Sequence, residues 1–130
     1  MFIFVPHKHI EPMRPQEILQ GNTLIAEFMG FEIIDRPYGN GFVTLSETEI
    51  CDVDDLLYHR DWNWLMPVVD KIDVIGAKVT MTRMLCDIKY RDPLNAENVF
   101  EIGIACGVKI NAVYGAVIEF INLYNKIKIN

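Results

Sequence analysis

The chain has 130 residues, 51% of them apolar, with 12 Lys and Arg against 18 Asp and Glu for a net charge of −6. That length holds one domain with a sizeable core, and it excludes both a β/α barrel of ~250 residues and a disordered chain. The acidic balance, with no basic run longer than two residues, leaves no electrostatic footprint for phosphate backbones, so nucleic acid is not an expected partner.

No stretch approaches the ~18 uninterrupted apolar residues of a membrane span, and the apolar run at the start lacks the basic flank and length of a secretory signal. No membrane partner is therefore expected. Cys51, Cys86 and Cys106 are odd in number, form no C-x-x-C pair and sit among apolar neighbours. That fits reduced thiols in a cytoplasmic protein better than disulfides or a zinc site.

Pro6, Pro12 and Pro15 stiffen residues 1–21 and remove backbone donors, which predicts a proline-rich arm with an edge strand over 2–5, outside a single domain spanning 22–130. Asn22 or Thr23 is placed to cap a short helix with Leu24, Ile25, Phe28 and Met29 on its apolar face and Gly30 as its stop. β-Branched and aromatic runs at 31–35 and 42–45 flank a loop rich in Gly, Pro and Asn, a hairpin signal. Residues 46–61 are acidic and ambiguous.

Asp61 is a plausible N-cap for a helix over 62–75, in which Trp62, Leu65, Val69 and Ile72 form one buried stripe and Gly76 ends the run. Pro67 lies too deep for a first-turn proline and implies a kink or an irregular first turn. A long strand is expected over 78–90, with a bulge or bend near Thr82 and Arg83 where the alternation changes parity. It pairs antiparallel with a strand over 98–106, placing Cys86, Ile88, Tyr90, Phe100, Ile102 and Ile104 on one face. A helix over 109–125 covers that face with Ile110, Val113, Val117, Phe120 and Tyr124; Tyr114, Ile118 and Ile121 widen its stripe beyond the ~100° of a surface helix. The excess apolar surface of this helix, together with Trp64, is read as meeting another subunit or a partner.

Three clusters could carry chemistry. His7 and His9, alternate residues on a strand, could share a divalent metal; otherwise they are solvated side chains of the arm. Asp52, Asp54 and Asp55, with His59 and Asp61, could bind a cation or run acid/base chemistry through His59 and Asp61; otherwise they form a solvated acidic turn ending in the helix cap. The glycine and distal glutamate of an EF-hand are missing. Trp62 and Trp64 cannot both face one core, which leaves Trp64 for a groove rim or for packing under the arm. Nucleophile elbows, P-loops and G-x-G-x-x-G fingerprints are absent, and no cofactor is expected.

Three segments, 22–30, 58–72 with its Trp62-Asn63-Trp64-Leu65-Met66-Pro67 run, and 109–125, resemble in order and wording the phage ABA sandwich domain family of small phage and prophage proteins. The resemblance implies an α/β/α-type sandwich in a cytoplasmic protein of a bacterial host, without implying an activity. The last helix of that family opens with a capping box, whereas Val108 and Asn111 stand here at its two positions. The fold expected is thus a single-domain α+β sandwich, a mainly antiparallel sheet including strands near 31–35, 42–45, 78–90 and 98–106, packed by two longer helices over 62–75 and 109–125. The leading functional expectation is a non-catalytic, homo-oligomeric module that binds a protein or small ligand through Tyr58, His59 and Trp64. The rival is a small metal-dependent or acid/base hydrolase built on 52–61.

Overall fold

Strict alternation sets the main sheet of the computed structural model, which describes residues 2–4, 8–35, 41–46 and 48–129. In strands β7 (Leu85–Arg91) and β8 (Val99–Ala105), Cys86, Ile88, Tyr90, Phe100, Ile102 and Ile104 are all buried. The two strands are antiparallel with Tyr90 opposite Phe100, Ile88 opposite Ile102 and Cys86 opposite Ile104, so the expected apolar face forms. Strand β6 (Lys78–Met81) pairs antiparallel with the other edge of β7. Strands β1 (Phe2–Phe4) and β2 (Lys8–His9) both lie parallel to β8.

Helix α3 (Lys109–Ile129) packs across the even face. An aromatic stack seals the contact: Tyr90, Phe100, Phe120 and Tyr124 hold successive ring centroids 5.1, 5.6 and 5.6 Å apart. The opposite face of the sheet shows Lys78, Thr80, Lys89 and Arg91 to solvent, and among its described residues only Gly103 is buried. Such a one-sided sheet is what antiparallel alternation allows. Single-domain α+β is therefore the class, with helical cover on one face of the large sheet.

Helix α2 (Trp62–Ile75) begins at Asp61, whose carboxylate accepts the Asn63 backbone N–H at 2.8 Å, and ends at Gly76 with φ 115°, both as the sequence predicts. It runs continuously through Pro67, whose missing donor releases the carbonyl of Asn63, an exposed residue. Lys71 of α2 donates to the Phe28 carbonyl at the end of helix α1 (Pro15–Phe28) and lies 4.6 Å over the Phe28 ring. A cation there complements the negative end of the α1 dipole.

Four expectations are corrected. The first helix starts at Pro15 and not at Asn22, so the boundary at residue 22 falls inside α1, and the helix expected to be short runs for 14 residues. Proline at the first helical position costs no hydrogen bond, and Glu17, three residues after Arg14, accepts the Arg14 backbone N–H at 3.2 Å. Residues 8–14 do not stand off as an arm either: the Ile10 N–H donates to the Ala105 carbonyl at 2.8 Å, and Ile10 and Met13 pack on the core.

Second, the strand expected over 78–90 is a hairpin. The parity change near Thr82 marks a turn, closed by the Thr82 N–H on the Leu85 carbonyl at 2.8 Å. Third, the 31–45 hairpin does not join the main sheet. Strands β3 (Glu32–Ile34) and β4 (Phe42–Thr44) form a separate antiparallel sheet with β5 (Ile50–Asp52), drawn from the ambiguous acidic stretch; the loop residues 36–40 lie outside the described residues. Fourth, the wide stripe of α3 is spent inside the chain: Val113, Tyr114, Val117, Phe120 and Ile121 are all buried, because α1 and α2 as well as the sheet pack on that helix. It offers no ground for a second subunit.

Candidate binding groove

Ile18, Asn22 and Ile25 fall on one face of α1, and Asn22, at 2% exposure, is the buried polar residue of the described core. Burying an amide without partners costs about 1–3 kcal/mol, so its bonds decide whether the site is tolerable. Every one is made. Asn22 Nδ2 donates to the Leu56 carbonyl at 3.1 Å and lies 3.0 Å from His59 Nδ1, while the Tyr114 hydroxyl of α3 donates to Asn22 Oδ1 at 3.0 Å.

These contacts determine the state of His59. A carbonyl can only accept, so Leu56 fixes which end of the Asn22 amide is the NH2 group. Its second hydrogen then points at His59 Nδ1, which must accept, and the neutral ring carries its proton on Nε2. No described residue takes up Nε2. Burial of the half-buried ring, reinforced by the neighbouring Arg60 charge, lowers its pKa below the ordinary histidine value.

The ring opens onto a groove of about 450 Å³ between the first turns of α1 and the 3-10 turn Val53–Asp55. Ile18, Leu19 and Val53 supply apolar walls, and Pro15, Gln16 and the exposed Asp54 complete the lining. The groove lies within the ~300–1,000 Å³ typical of small-molecule sites. Close helix approach makes the node possible: a Cβ on Gly21 would meet the Tyr114 hydroxyl oxygen at 2.4 Å and Ile118 Cδ1 at 2.8 Å. Only glycine lets the Tyr114 hydroxyl reach across to α1.

Of the candidate site residues named from sequence, His59 and Asp54 line this groove. Tyr58 is corrected from a surface contact to a core residue: it is 3% exposed, lies edge-on to Trp64 at 5.2 Å, and burial, with a smaller contribution from Cys51, pushes its phenol up to about 12. The two tryptophans also exchange roles. Trp62, placed in the buried stripe, is 37% exposed, whereas Trp64 is half-buried against Tyr58 and the core; the stripe proper is Leu65, Val68, Val69 and Ile72, which the two rings flank on opposite sides.

The acidic residues disperse. Asp61 is engaged as the α2 cap, Asp52 ends β5 half-buried, and Asp54 and Asp55 are exposed on the 3-10 turn. Among the described residues no group of three or more His, Cys, Asp or Glu is placed to hold a metal, so Asp52, Asp54, Asp55 and His59 do not converge. His59 takes part in no ion pair with a described carboxylate. His9 is exposed on β2, and His7 lies outside the described residues. Cys51, Cys86 and Cys106 are free thiols, the last two buried.

Compared with known protein families, with characterised proteins and with solved structures, the chain matches none of them. Function is therefore read from geometry. Among the described residues, no helix is long and apolar enough to cross a membrane.

Asn22 and Tyr114 are the site residues that sequence reading missed. Their signal was present: Asn22 interrupts an apolar face at i, i+4, i+7 with Ile18 and Ile25, and a polar residue in a core stripe demands partners. It was hidden because Asn22 also suits a helix cap, and Gly21 beside it weakens the helix signal.

Proposed function

We propose that the chain is a non-catalytic binding module whose groove beside His59 takes a small, largely apolar ligand with one hydrogen-bond acceptor and no negative charge. The observation that carries this reading is the Asn22 Nδ2 contact on His59 Nδ1, which assigns the ring's hydrogen to Nε2 in a side chain that lines the groove with Ile18, Leu19 and Val53. A ring whose outer nitrogen is already protonated cannot act as a base there, which weighs against the hydrolase alternative. The net charge of −6, with an aspartate, Asp54, in the lining, disfavours anions.

A larger groove of about 780 Å³ runs between residues 8–14, α1 and α3, but four of its charged side chains are paired, Lys8 with Glu119 at 2.8 Å and Arg14 with Glu17 at 3.0 Å, and the remaining one, Glu11, is exposed. Such exposed, self-paired groups offer a ligand little that water does not. The reading is tested by screening neutral carbonyl- and heterocycle-bearing fragments against the labelled chain by NMR. Shifts are expected to cluster on Gln16, Leu19, Val53 and His59 and to vanish in His59→Phe. Binding that maps to the larger groove instead, or that survives this substitution, would overturn it.

A further inference from the structure

The Tyr114 hydroxyl carries one hydrogen, yet two oxygens stand within its reach, Asn22 Oδ1 at 3.0 Å and the Ile18 carbonyl at 3.1 Å. One acceptor is therefore in reserve, and it gives the junction a second way to satisfy itself. The two ends of a carboxamide are nearly equal in size, so half a turn of the Asn22 amide exchanges donor and acceptor without new space. After that turn Oδ1 faces His59 Nδ1, Nδ2 faces the Tyr114 oxygen, and the hydroxyl hydrogen passes to Ile18. All partners are met again except one: the Leu56 carbonyl now faces an oxygen.

The protonation state of His59 selects between the two arrangements. A neutral ring offers a lone pair at Nδ1, which needs the NH2 end of Asn22, and Leu56 is held. An imidazolium carries a hydrogen at Nδ1, which would oppose that NH2 group donor to donor; the turned amide replaces the clash with a hydrogen bond. We infer that Asn22 is a two-position switch that couples protonation of His59 to release of the Leu56 carbonyl, and so to the hold of α1 on the 56–61 turn. Both arrangements use only atoms already within hydrogen-bond distance, so the switch does not depend on a ligand.

Among the described residues, the charged and titratable groups near the ring are few. Asp54 of the 3-10 turn lines the same groove as the ring, the ring's own turn carries Arg60 beside it, and α3 presents the Tyr114 phenol, which burial pushes above its ordinary range. Where α1 lines the groove it contributes Gln16 and Asn22 and no charge. No described carboxylate is thus bonded to Nδ1 to share the added proton, and the amide is the group that must respond.

The test is an NMR titration of the full labelled chain from about pH 8 to about pH 5, the range of histidine switching, following the His59 ring nitrogens, the Asn22 side-chain amide and the Leu56 carbonyl carbon. The neutral ring is expected to carry its hydrogen on Nε2, and the Asn22 and Leu56 signals to move with the His59 midpoint. Asn22→Asp, which presents only oxygens, should raise that midpoint by about one pH unit or more and show at neutral pH the Leu56 shift that the wild type reaches in acid. Should that variant not fold, the wild-type titration decides alone. A His59 transition with the Asn22 and Leu56 signals unmoved, or a neutral ring protonated on Nδ1, would overturn the switch.

Discussion

Phe120 and Tyr114 sit six residues apart on α3, both buried, and do opposite things. Phe120 lies in an aromatic stack against Tyr90, Phe100 and Tyr124 on a face of the large sheet lined with apolar side chains. Tyr114 spends its hydroxyl on a polar node that joins α3 to α1 and, through Asn22, to His59 and Leu56. The first contact is non-directional and sums with area. The second depends on each partner facing the right way, which makes it costly to misalign and open to rearrangement. One helix thus supplies both a rigid core and an adjustable junction.

The comparison is broken most severely at the core. Phe120→Ala should cost about 3–5 kcal/mol, the usual range for deleting a packed aromatic ring, read from urea unfolding. Its effect on the His59 titration should be nil, since the two regions share a helix but no hydrogen bond. A loss near 1 kcal/mol would mean that the stack collapses readily around the gap, and the contrast between rigid and adjustable regions would be lost.

The junction is sharpened by Gly21→Ala. Propensity alone predicts a gain of about 1 kcal/mol for replacing a mid-helix glycine. The clash with the Tyr114 hydroxyl should win, because the ring is buried and cannot swing away, giving a net loss of about 1–3 kcal/mol. A double variant with Tyr114→Phe, which removes the obstructing oxygen, should recover part of that loss. Stabilisation by Gly21→Ala alone would show that α1 and α3 are not held at the distance drawn here.

Sequence reading did best where one period governed many residues. The antiparallel β7–β8 pairing, the even apolar face, the α2 limits from Asp61 to Gly76 and most of α3 follow from alternation or helical spacing with cap residues. It failed where one residue admitted two local roles. Pro15 served as an argument against helix although it opens one, Asn22 looked like a cap although it is a core residue, and Thr82 read as a bulge although it begins a turn. For the site, His59 was visible and its environment was not. Its partner Asn22 is 37 residues away in sequence, and Tyr114 lies 92 residues beyond Asn22; no local pattern encodes such distances.

A smaller effect is expected from pH. His59 is lowered in the folded state while the unfolded chain keeps a value near 6.5. Above that pH both states are neutral and its contribution is whole; as pH falls through the unfolded value toward the lower folded one, the unfolded chain binds more protons and stability is lost. Unfolding midpoints in urea should therefore drop between about pH 6.5 and about pH 5 in the wild type, ahead of carboxylate protonation. In His59→Phe this slope should flatten. An equal slope in both proteins would remove His59 as its source.

The smallest effect should come from the opposite face of the large sheet, where Lys89 approaches Glu101 at 3.7 Å with side chains 61% and 32% exposed. Directly across the strand pair, these residues occupy the same face as Lys78, Thr80 and Arg91. Water already solvates both charges, and holding two long side chains together costs entropy, so Lys89→Ala should change stability by no more than about 0.5 kcal/mol. Raising the salt concentration should erase even that difference, because an exposed pair is screened within about 10 Å at 0.1 M ionic strength. A loss well above 1 kcal/mol that survives high salt would mean that this face is covered and dry in solution. The asymmetry between the two faces of the sheet would then have to be redrawn, with the covering element sought in a second copy of the chain or a partner.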